Sequence, residues 1–431
     1  MNGNLGKIYI RKRPVLTWLA YFVFLMPFFV QALLQFFSVP SFLKYSIDVV
    51  WIIALFGVLF TRQIKTERQI AVFWIFVVFF ISYTLIAYLF NFQSVFYYLW
   101  GFRNNFRLYA AFILFIFLFD REDIKFCLKF IDVFFWVNVV VSFVQFFAFG
   151  INQDYLGGLF GVDLGANAST LILLSIVSAK SILCYMNGEE KTWLCIAKCS
   201  ASLILAALSE LKFFFLIFTV IVAYSLFVTN FSWKKLLILS AFAIITAISG
   251  TILTALFDSN VFSVKDIFDL ITSENYSSSR DLGRFTAIPT ISNTILTGVP
   301  QKLFGMGLGN CDTSAFAICN TPFFQSHQYL NYNWFSSAFV FLETGFIGVV
   351  MVLSFFVICF VLAFRERRRG GNSLLCQMSM IMSIICVALF FYNASLRTEV
   401  GYIAYFVLAL PFISLRDKES SQQSLSNRQL I

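Results

Sequence analysis

The chain consists mainly of apolar stretches that are each long enough, or nearly long enough, to cross a lipid bilayer. A helix that spans the hydrocarbon core needs about 20 mostly apolar residues. Lipid cannot hydrogen-bond to the backbone, so such segments must be helices. The sequence therefore predicts an all-α polytopic membrane protein with about twelve transmembrane helices, at 15–37, 43–60, 70–90, 107–120, 125–149, 166–186, 192–210, 211–229, 233–257, 334–364, 374–393 and 400–415.

The composition agrees with this class of protein. Hydrophobic residues make up 60% of the chain and charged residues 12%, whereas soluble domains contain about 25% charged residues. Basic residues at 7–13 precede the apolar run Val15–Phe37, which is too long for a signal peptide and has no small-residue cleavage site. We interpret that run as the first spanning helix.

Polarity divides the chain into four parts. Residues 1–257 are predicted to hold nine transmembrane helices, and residues 334–415 are predicted to hold three more. Between them lies a long, mostly polar loop at 258–333, and the chain ends in a polar tail at 416–431 that we expect to be disordered. Apolar residues at helical spacing in 261–271 predict an amphipathic helix on the membrane surface.

The distribution of positive charge predicts the orientation. With twelve spans and a cytoplasmic N-terminus, the segments on the cytoplasmic side hold 19 of the 31 Lys and Arg residues. Cytoplasmic loops of membrane proteins carry such an excess. The long loop is therefore predicted to face outside the cytoplasm, and the tail is predicted to be cytoplasmic. The net charge of +9 is scattered and forms no patch, so we expect no nucleic-acid partner.

Basic residues on the predicted outer side are less expected. Interfacial snorkelling explains any one of them, but as a set they favour an anionic ligand at the outer leaflet. A guanidinium binds two phosphate oxygens at once, so the set predicts a phosphate or diphosphate site. Its candidate residues are Arg103, Arg107, Lys212, Arg280, Arg284 and Arg397.

Glu343 begins the sequence Glu-Thr-Gly-Phe-Ile-Gly near the outer end of the predicted span 334–364. A carboxylate in an apolar helix is costly, and such a residue is a candidate for function. The alternative is a structural glutamate paired with a neighbouring cation. Gly345 and Gly348 allow close contact between helices.

Two further features lie in the long loop. The glycines of Gly305-Met-Gly-Leu-Gly309 are not part of a βαβ unit, which excludes a dinucleotide site and favours a tight turn that folds the loop back over the membrane. His327, the single histidine, is either a proton acceptor or phosphate donor, or an ordinary hydrogen-bonded loop residue.

The cysteines and the single histidine bear on cofactors and on cross-linking. With one histidine and no Cys-x-x-Cys pair, the sequence predicts no metal and no other cofactor. Cys311 and Cys319 share the long loop, and an oxidising exterior would allow a disulfide between them.

The order of these elements resembles the bacterial O-antigen polymerase (Wzy-type) and O-antigen ligase superfamily. The matching elements are Ser209-Glu-Leu-Lys212 at a helix break, Asp281-Leu-Gly-Arg284, the glycine turn, His327 and the Glu343 motif. The motifs match over about 205–350, and the predicted topology matches over most of the chain. The resemblance implies a membrane glycosyltransferase fold of the GT-C-like kind.

The resemblance also implies an activity and a set of roles. The expected activity is polymerisation of undecaprenyl-diphosphate-linked oligosaccharide units at the outer face of the bacterial inner membrane, in the lipid bilayer, with a polysaccharide chain-length regulator as a further partner. The expected diphosphate ligands are Arg284, Arg280, Lys212, Arg103 and Arg107, and the two candidates for the general base are Glu343 and His327.

Two alternatives stay open. The first is O-antigen ligase, which shares the leaving-group chemistry; its histidine usually lies closer to the glutamate motif than His327 lies to Glu343. The second is a flippase or transporter of lipid-linked oligosaccharides. Transporters often have repeated halves and charges near the midplane, and we see neither pattern here.

Overall fold

The structure is a computed structural model that describes residues 14–60, 68–228, 233–257, 273, 275, 280–313, 316 and 319–429. The described residues form helices, turns and loops and contain no strand. The amphipathic helix predicted at 261–271 lies outside the described residues.

A helix lies at each of the twelve predicted apolar windows, and short helices lie between the window at 233–257 and the window at 334–364. The first nine are α1 Pro14–Phe36, α2 Ser46–Phe60, α3 Arg68–Asn91, α4 Val95–Leu118, α5 Arg121–Phe149, α6 Ala166–Met186, α7 Thr192–Leu208, α8 Lys212–Val228 and α9 Trp233–Phe257. The remaining helices are α10 Ala287–Thr294, α11 Val299–Phe304, α12 Pro322–His327, α13 Ser336–Arg368, α14 Ser373–Tyr392 and α15 Gly401–Gln429.

Seven helices within the described residues are long and apolar enough to cross a membrane. They are α1, α2 with the short helix Ser41–Tyr45 before it, α3, α5, α6, α13 and α14. The helices α7 and α8 are apolar but shorter. This is the architecture of an all-helical polytopic membrane protein, and the figure of twelve spans stays a prediction.

Two predicted boundaries are wrong. The helix expected at 107–120 begins at Val95. The sequence obscured this start because Arg103, Asn104, Asn105 and Arg107 lower the hydropathy, whereas in the structure their side chains have partners inside the protein. The tail expected to be disordered continues α15 to Gln429. The segment from Arg416 to Gln429 contains no glycine or proline that would stop a helix.

The helix α4 lies at the centre of the bundle. Its residues from Phe106 to Ile116 are buried in an unbroken run, and it packs against α15, α2 and α1. Aromatic side chains fill the space around it; the Phe73 ring centroid lies 4.7 Å from that of Phe112 and 4.8 Å from that of Phe412. This central position decides where the polar residues of α4 can find partners.

Candidate functional site

Four polar side chains of α4 each contact a carboxylate on a different segment of the chain. We call these eight residues the α4 polar cluster. The pairs are Arg103 Nε with Asp48 Oδ2 at 2.9 Å, Asn104 with Asp312, Asn105 Nδ2 with Glu343 Oε2 at 3.1 Å, and Arg107 Nη1 with Glu399 Oε1 at 3.2 Å.

Helical geometry explains why the partners come from four segments. Successive residues of an α-helix are about 100° apart around its axis. Residues 103 and 107 are four apart and therefore share one face of α4, whereas 104 and 105 point to two other sides. Because α4 is surrounded by the bundle, the shared face meets α2 and the segment before α15, and the other two sides meet the loop after the glycine turn and α13.

Glu343 lies beside a break in α13. Gly345 has φ +61° and ψ −165°, so the helix is interrupted directly after Thr344. The carbonyls of Leu342 and Glu343 accept hydrogen bonds from the backbone N–H groups of Met306 and Gly307, at 2.8 and 3.0 Å. The glycine turn thus satisfies backbone groups that the break would otherwise leave unpaired.

The glycine turn is present, and it packs into the bundle. A Cβ on Gly309 would lie 1.8 Å from the carbonyl oxygen of Tyr97, and its φ is +79°. Opposite it on α4, a Cβ on Gly101 would lie 2.2 Å from the Gly309 nitrogen. The glycine turn and α4 therefore contact each other directly through backbone atoms. This contact brings the Gly309 N–H within 2.8 Å of Glu343 Oε1.

Glu343 is fully buried, with a relative exposure of 0%. Its two oxygens are bound by Gly309 N–H and by Asn105. Fully buried carboxylates need such partners, because an unpaired one would be strongly destabilising. Glu343 therefore joins the turn, α4 and α13 at one point.

Arg397 adds a third cation beside the two arginines of the cluster. Its guanidinium lies over the Phe339 ring, with 3.1 Å between the guanidinium carbon and the ring centroid. Its carbonyl accepts a hydrogen bond from Arg107. Burial lowers the pKa of Arg397, and the negative charges of Asp312 and Glu343 oppose that shift.

The cluster borders a cavity of about 290 Å³. The cavity is lined by Tyr45 and Trp100, by the cations Lys44 and Arg103, and by the polar residues Asn104, Thr313 and Glu399. The guanidinium carbon of Arg103 lies 5.1 Å from the ring centroids of both Tyr45 and Trp100. The site therefore combines aromatic surface with hydrogen-bonding groups and charged groups of both signs.

Arg284 belongs to a second group of residues. Its Nη1 donates to the carbonyl of Tyr392 at 2.8 Å, and its guanidinium carbon lies 4.0 Å from the centroid of the Tyr392 ring. Phe213 also belongs to this group, because its ring stacks on that of Tyr392 with 3.9 Å between the two ring centroids. Lys212 directly precedes Phe213 and pairs with Glu210 at 3.2 Å.

The remaining predicted residues lie elsewhere. Arg280 is exposed. His327 is half-buried at the end of α12, where its Nδ1 lies 2.7 Å from Ser326 Oγ and its ring stacks on Phe323 at 4.3 Å. No contact within the described part of the chain joins His327 to Glu343.

The predicted disulfide is not formed. Cys311 and Cys319 are both buried free thiols. The Cys311 sulfur instead faces the Met306 sulfur, 3.8 Å away in the interior of the turn.

Sequence reasoning missed five members of the cluster, namely Asp48, Asn104, Asn105, Asp312 and Glu399. The signal that would have found the two asparagines is the run Phe102-Arg-Asn-Asn-Phe-Arg107 beside an apolar segment. Polar residues that enter a membrane helix are functional candidates. The three acids become recognisable only when their partners on α4 are known.

No family model matches the chain, and no curated protein matches it.

Proposed function

We propose that the protein is a membrane glycosyltransferase that polymerises undecaprenyl-diphosphate-linked oligosaccharide repeat units into a surface polysaccharide. The reaction takes place at the outer face of the bacterial inner membrane. The observation that carries this proposal is the α4 polar cluster, which holds Glu343 at a helix break and lines an aromatic-walled cavity through Arg103, Asn104 and Glu399.

The reaction needs a cation at the leaving group. A hydroxyl of the acceptor sugar attacks C1 of the donor sugar, the bond from C1 to the diphosphate oxygen breaks, and the electron pair leaves with the diphosphate. Cations placed where that charge develops lower the barrier. We assign this role to Arg284, whose guanidinium stacks on Tyr392. Lys212 directly precedes Phe213, which stacks on the same Tyr392 ring, and is the second candidate. Its pair with Glu210 is more exposed than the pairs of Arg103 and Arg107, so a diphosphate can displace it more easily.

Arg103 and Arg107 are less suited to bind diphosphate than the sequence indicated. Arg103 is paired with Asp48 and Arg107 with Glu399. A diphosphate would have to compete with these carboxylates. We therefore assign the two arginines to organising the cluster, and we place the diphosphate near Arg284, with exposed Arg280 as an entry contact.

The two groups meet at the start of α13. The guanidinium of Arg284 lies over the ring of Phe335 at 5.7 Å, and that of Arg397 lies over the ring of Phe339. Phe335 is the N-cap of α13 and Phe339 lies in its first turn. This spacing is suitable for a donor that has its diphosphate at Arg284 and its reacting sugar near the cluster.

The acceptor hydroxyl must lose a proton, and a carboxylate of the cluster is the proposed base. General bases of this kind contribute about 10²–10⁴-fold to a rate. Glu343 is the member that the helix break positions, while His327 is the alternative. The local contacts of His327 with Ser326 and Phe323 give no path to the cluster within the described residues.

The test is the polysaccharide ladder of cells that lack the protein. The deletion strain is complemented with wild type, with Arg284→Ala, or with Arg369→Ala, in which an exposed arginine at the far end of α13 is removed. We expect the deletion to leave the lipid core plus one repeat. We expect wild type and Arg369→Ala to restore the ladder and Arg284→Ala to fail, at equal membrane levels by immunoblot.

Other outcomes identify the alternatives. Loss of all surface glycan with long lipid-linked polymer accumulating would mean a ligase. Unpolymerised repeats that accumulate facing the cytoplasm would mean a flippase and would contradict the proposal.

A further inference from the structure

The cavity beside the cluster has the volume of a small-molecule site. Its volume of about 290 Å³ is just below the roughly 300–1,000 Å³ of drug-sized ligand sites, so it suits a small ligand. It is formed by the short helix Ser41–Tyr45 before α2, the N-terminal half of α4, the loop after the glycine turn and the segment before α15. A ligand there would contact four separate parts of the chain.

The charged residues that line the cavity are largely held in ion pairs. The lining contains the cations Lys44 and Arg103 and the carboxylate Glu399. Arg103 is paired with Asp48, and Glu399 is paired with Arg107. An anion such as diphosphate would have to compete with Asp48 for Arg103, whereas a polar ligand without net charge would leave both pairs in place.

The aromatic side chains point to the same class of ligand. Tyr45 and Trp100 lie with their ring centroids 5.8 Å apart, and Phe316 contacts both. Trp100 Nε1 is buried and has no hydrogen-bond partner among the described residues. A buried indole N–H normally has one, so this donor is left unsatisfied in the described part of the chain.

The polar groups complete the recognition of a polyhydroxy ring. Asn104 and Thr313 carry both donors and acceptors, and Glu399 is an acceptor. One oxygen of Glu399 is held by Arg107, but a carboxylate has about four lone-pair sites. The Arg107 contact therefore does not exhaust it.

We propose that this cavity is a carbohydrate subsite that binds one neutral sugar residue, with Trp100 and Tyr45 against its apolar surface and Asn104, Thr313 and Glu399 bound to its hydroxyls. The assignment rests on the proposed glycosyl transfer. It separates the site into two parts, since the sugar binds at Trp100 and the diphosphate binds at Arg284.

The test is saturation-transfer NMR on the purified full-length protein in lipid nanodiscs. The probes are free hexoses and N-acetylhexosamines, with inorganic diphosphate as the competitor. The variants are Trp100→Ala and Tyr45→Ala, and the control is Trp18→Ala, whose side chain on α1 is 71% exposed. We expect at least one sugar to receive saturation, the signal to fall at least fivefold in both cavity variants, and Trp18→Ala and added diphosphate to leave it unchanged.

Two results would overturn the subsite. One is displacement of the sugar by diphosphate, and the other is no saturation of any sugar by wild type that polymerises lipid-linked repeats. A size-exclusion profile and a melting curve exclude unfolded variants, and Tyr45→Ala keeps the test valid if Trp100→Ala does not fold. Sugar binding that depends on Trp100 in a protein that does not polymerise would refute the proposed function and leave the subsite in place.

Discussion

The Glu343 carboxylate accepts a hydrogen bond from the Gly309 backbone N–H, with 2.8 Å between the two heavy atoms. Asn105 holds the other carboxylate oxygen at 3.1 Å. This arrangement fixes the glycine turn against α4 and against the broken part of α13. The turn can approach so closely only because residues 101 and 309 are both glycine.

Gly309→Ala is therefore expected to be strongly destabilising. The added Cβ would overlap the Tyr97 carbonyl, and the φ of +79° is unfavourable for alanine. Overpacking costs about 1–3 kcal/mol and left-handed backbone adds roughly 1–2 kcal/mol. The apparent melting temperature in detergent measures the loss.

Gly188→Ala is the matched control for that substitution. Gly188 has φ +77°, but no atom lies within 4 Å of its added Cβ. The Gly188→Ala variant has the backbone strain without the steric overlap, so its melting temperature should fall much less than that of Gly309→Ala. Equal losses in the two variants would show that the turn does not pack against α4 as described.

The Arg107–Glu399 pair is expected to show strong coupling. Both side chains are largely buried, with exposures of 5% and 15%. Removing one partner of a buried pair costs about 3–5 kcal/mol, whereas replacing both with apolar residues costs much less. In a double-mutant cycle with Arg107→Met and Glu399→Met, the double variant should be more stable than the sum of the singles predicts. Simple additivity would mean that the pair does not form.

The lowered pKa of Glu399 predicts that the stability of the protein depends on pH. Burial raises the pKa of Glu399, but the Arg107 guanidinium and its hydrogen bond more than offset this, so the pKa lies below its ordinary value of 4.5. A lowered acid pKa stabilises the folded state above the unfolded pKa, and this contribution is lost as the pH falls through the folded pKa. The melting-temperature difference between wild type and Glu399→Gln should be constant from about pH 8 to about pH 6 and should shrink below about pH 4.5. A difference that grows on acidification would contradict the assignment.

We expect polymerisation to depend on the planar shape of the Arg284 guanidinium as well as on its charge. Its guanidinium stacks on Tyr392 and donates to the Tyr392 carbonyl. Lysine keeps the charge but has no planar group to stack or to bind two oxygens. In the cellular ladder, Arg284→Lys should give shorter polymer than wild type and Arg284→Ala should give none. Full activity of Arg284→Lys would mean that a point charge is sufficient there.

The positions of the helices could be predicted because apolar length alone decides them. The start of α4 could not, since Arg103, Asn104 and Asn105 look like loop residues until their partners are known. The break at Gly345 also had no local signal. Its glycine was expected to allow close packing, and the positive φ is possible because the turn at 305–309 supplies the missing backbone donors.

Only some residues of the site could be predicted from the sequence, and the reason is related. Glu343 stood out as a carboxylate in an apolar segment. Asp48 and Glu399 did not, because each lies beside a helix end, where acids are common, and Asp312 did not, because it lies in the polar loop. Their pairing with α4 joins residues up to 292 positions apart, and a single sequence contains no record of such pairs.

The most direct test is polymerisation by the purified protein in liposomes that contain lipid-linked repeat units. We expect wild type to form long glycan and Glu343→Gln, folded by its melting curve, to be slower by at least about 100-fold, as for loss of a general base. A Glu122→Gln variant, changed at an exposed acid on α5, should match wild type. Absence of polymer with wild type would contradict the proposed function, and full activity of Glu343→Gln would contradict the site.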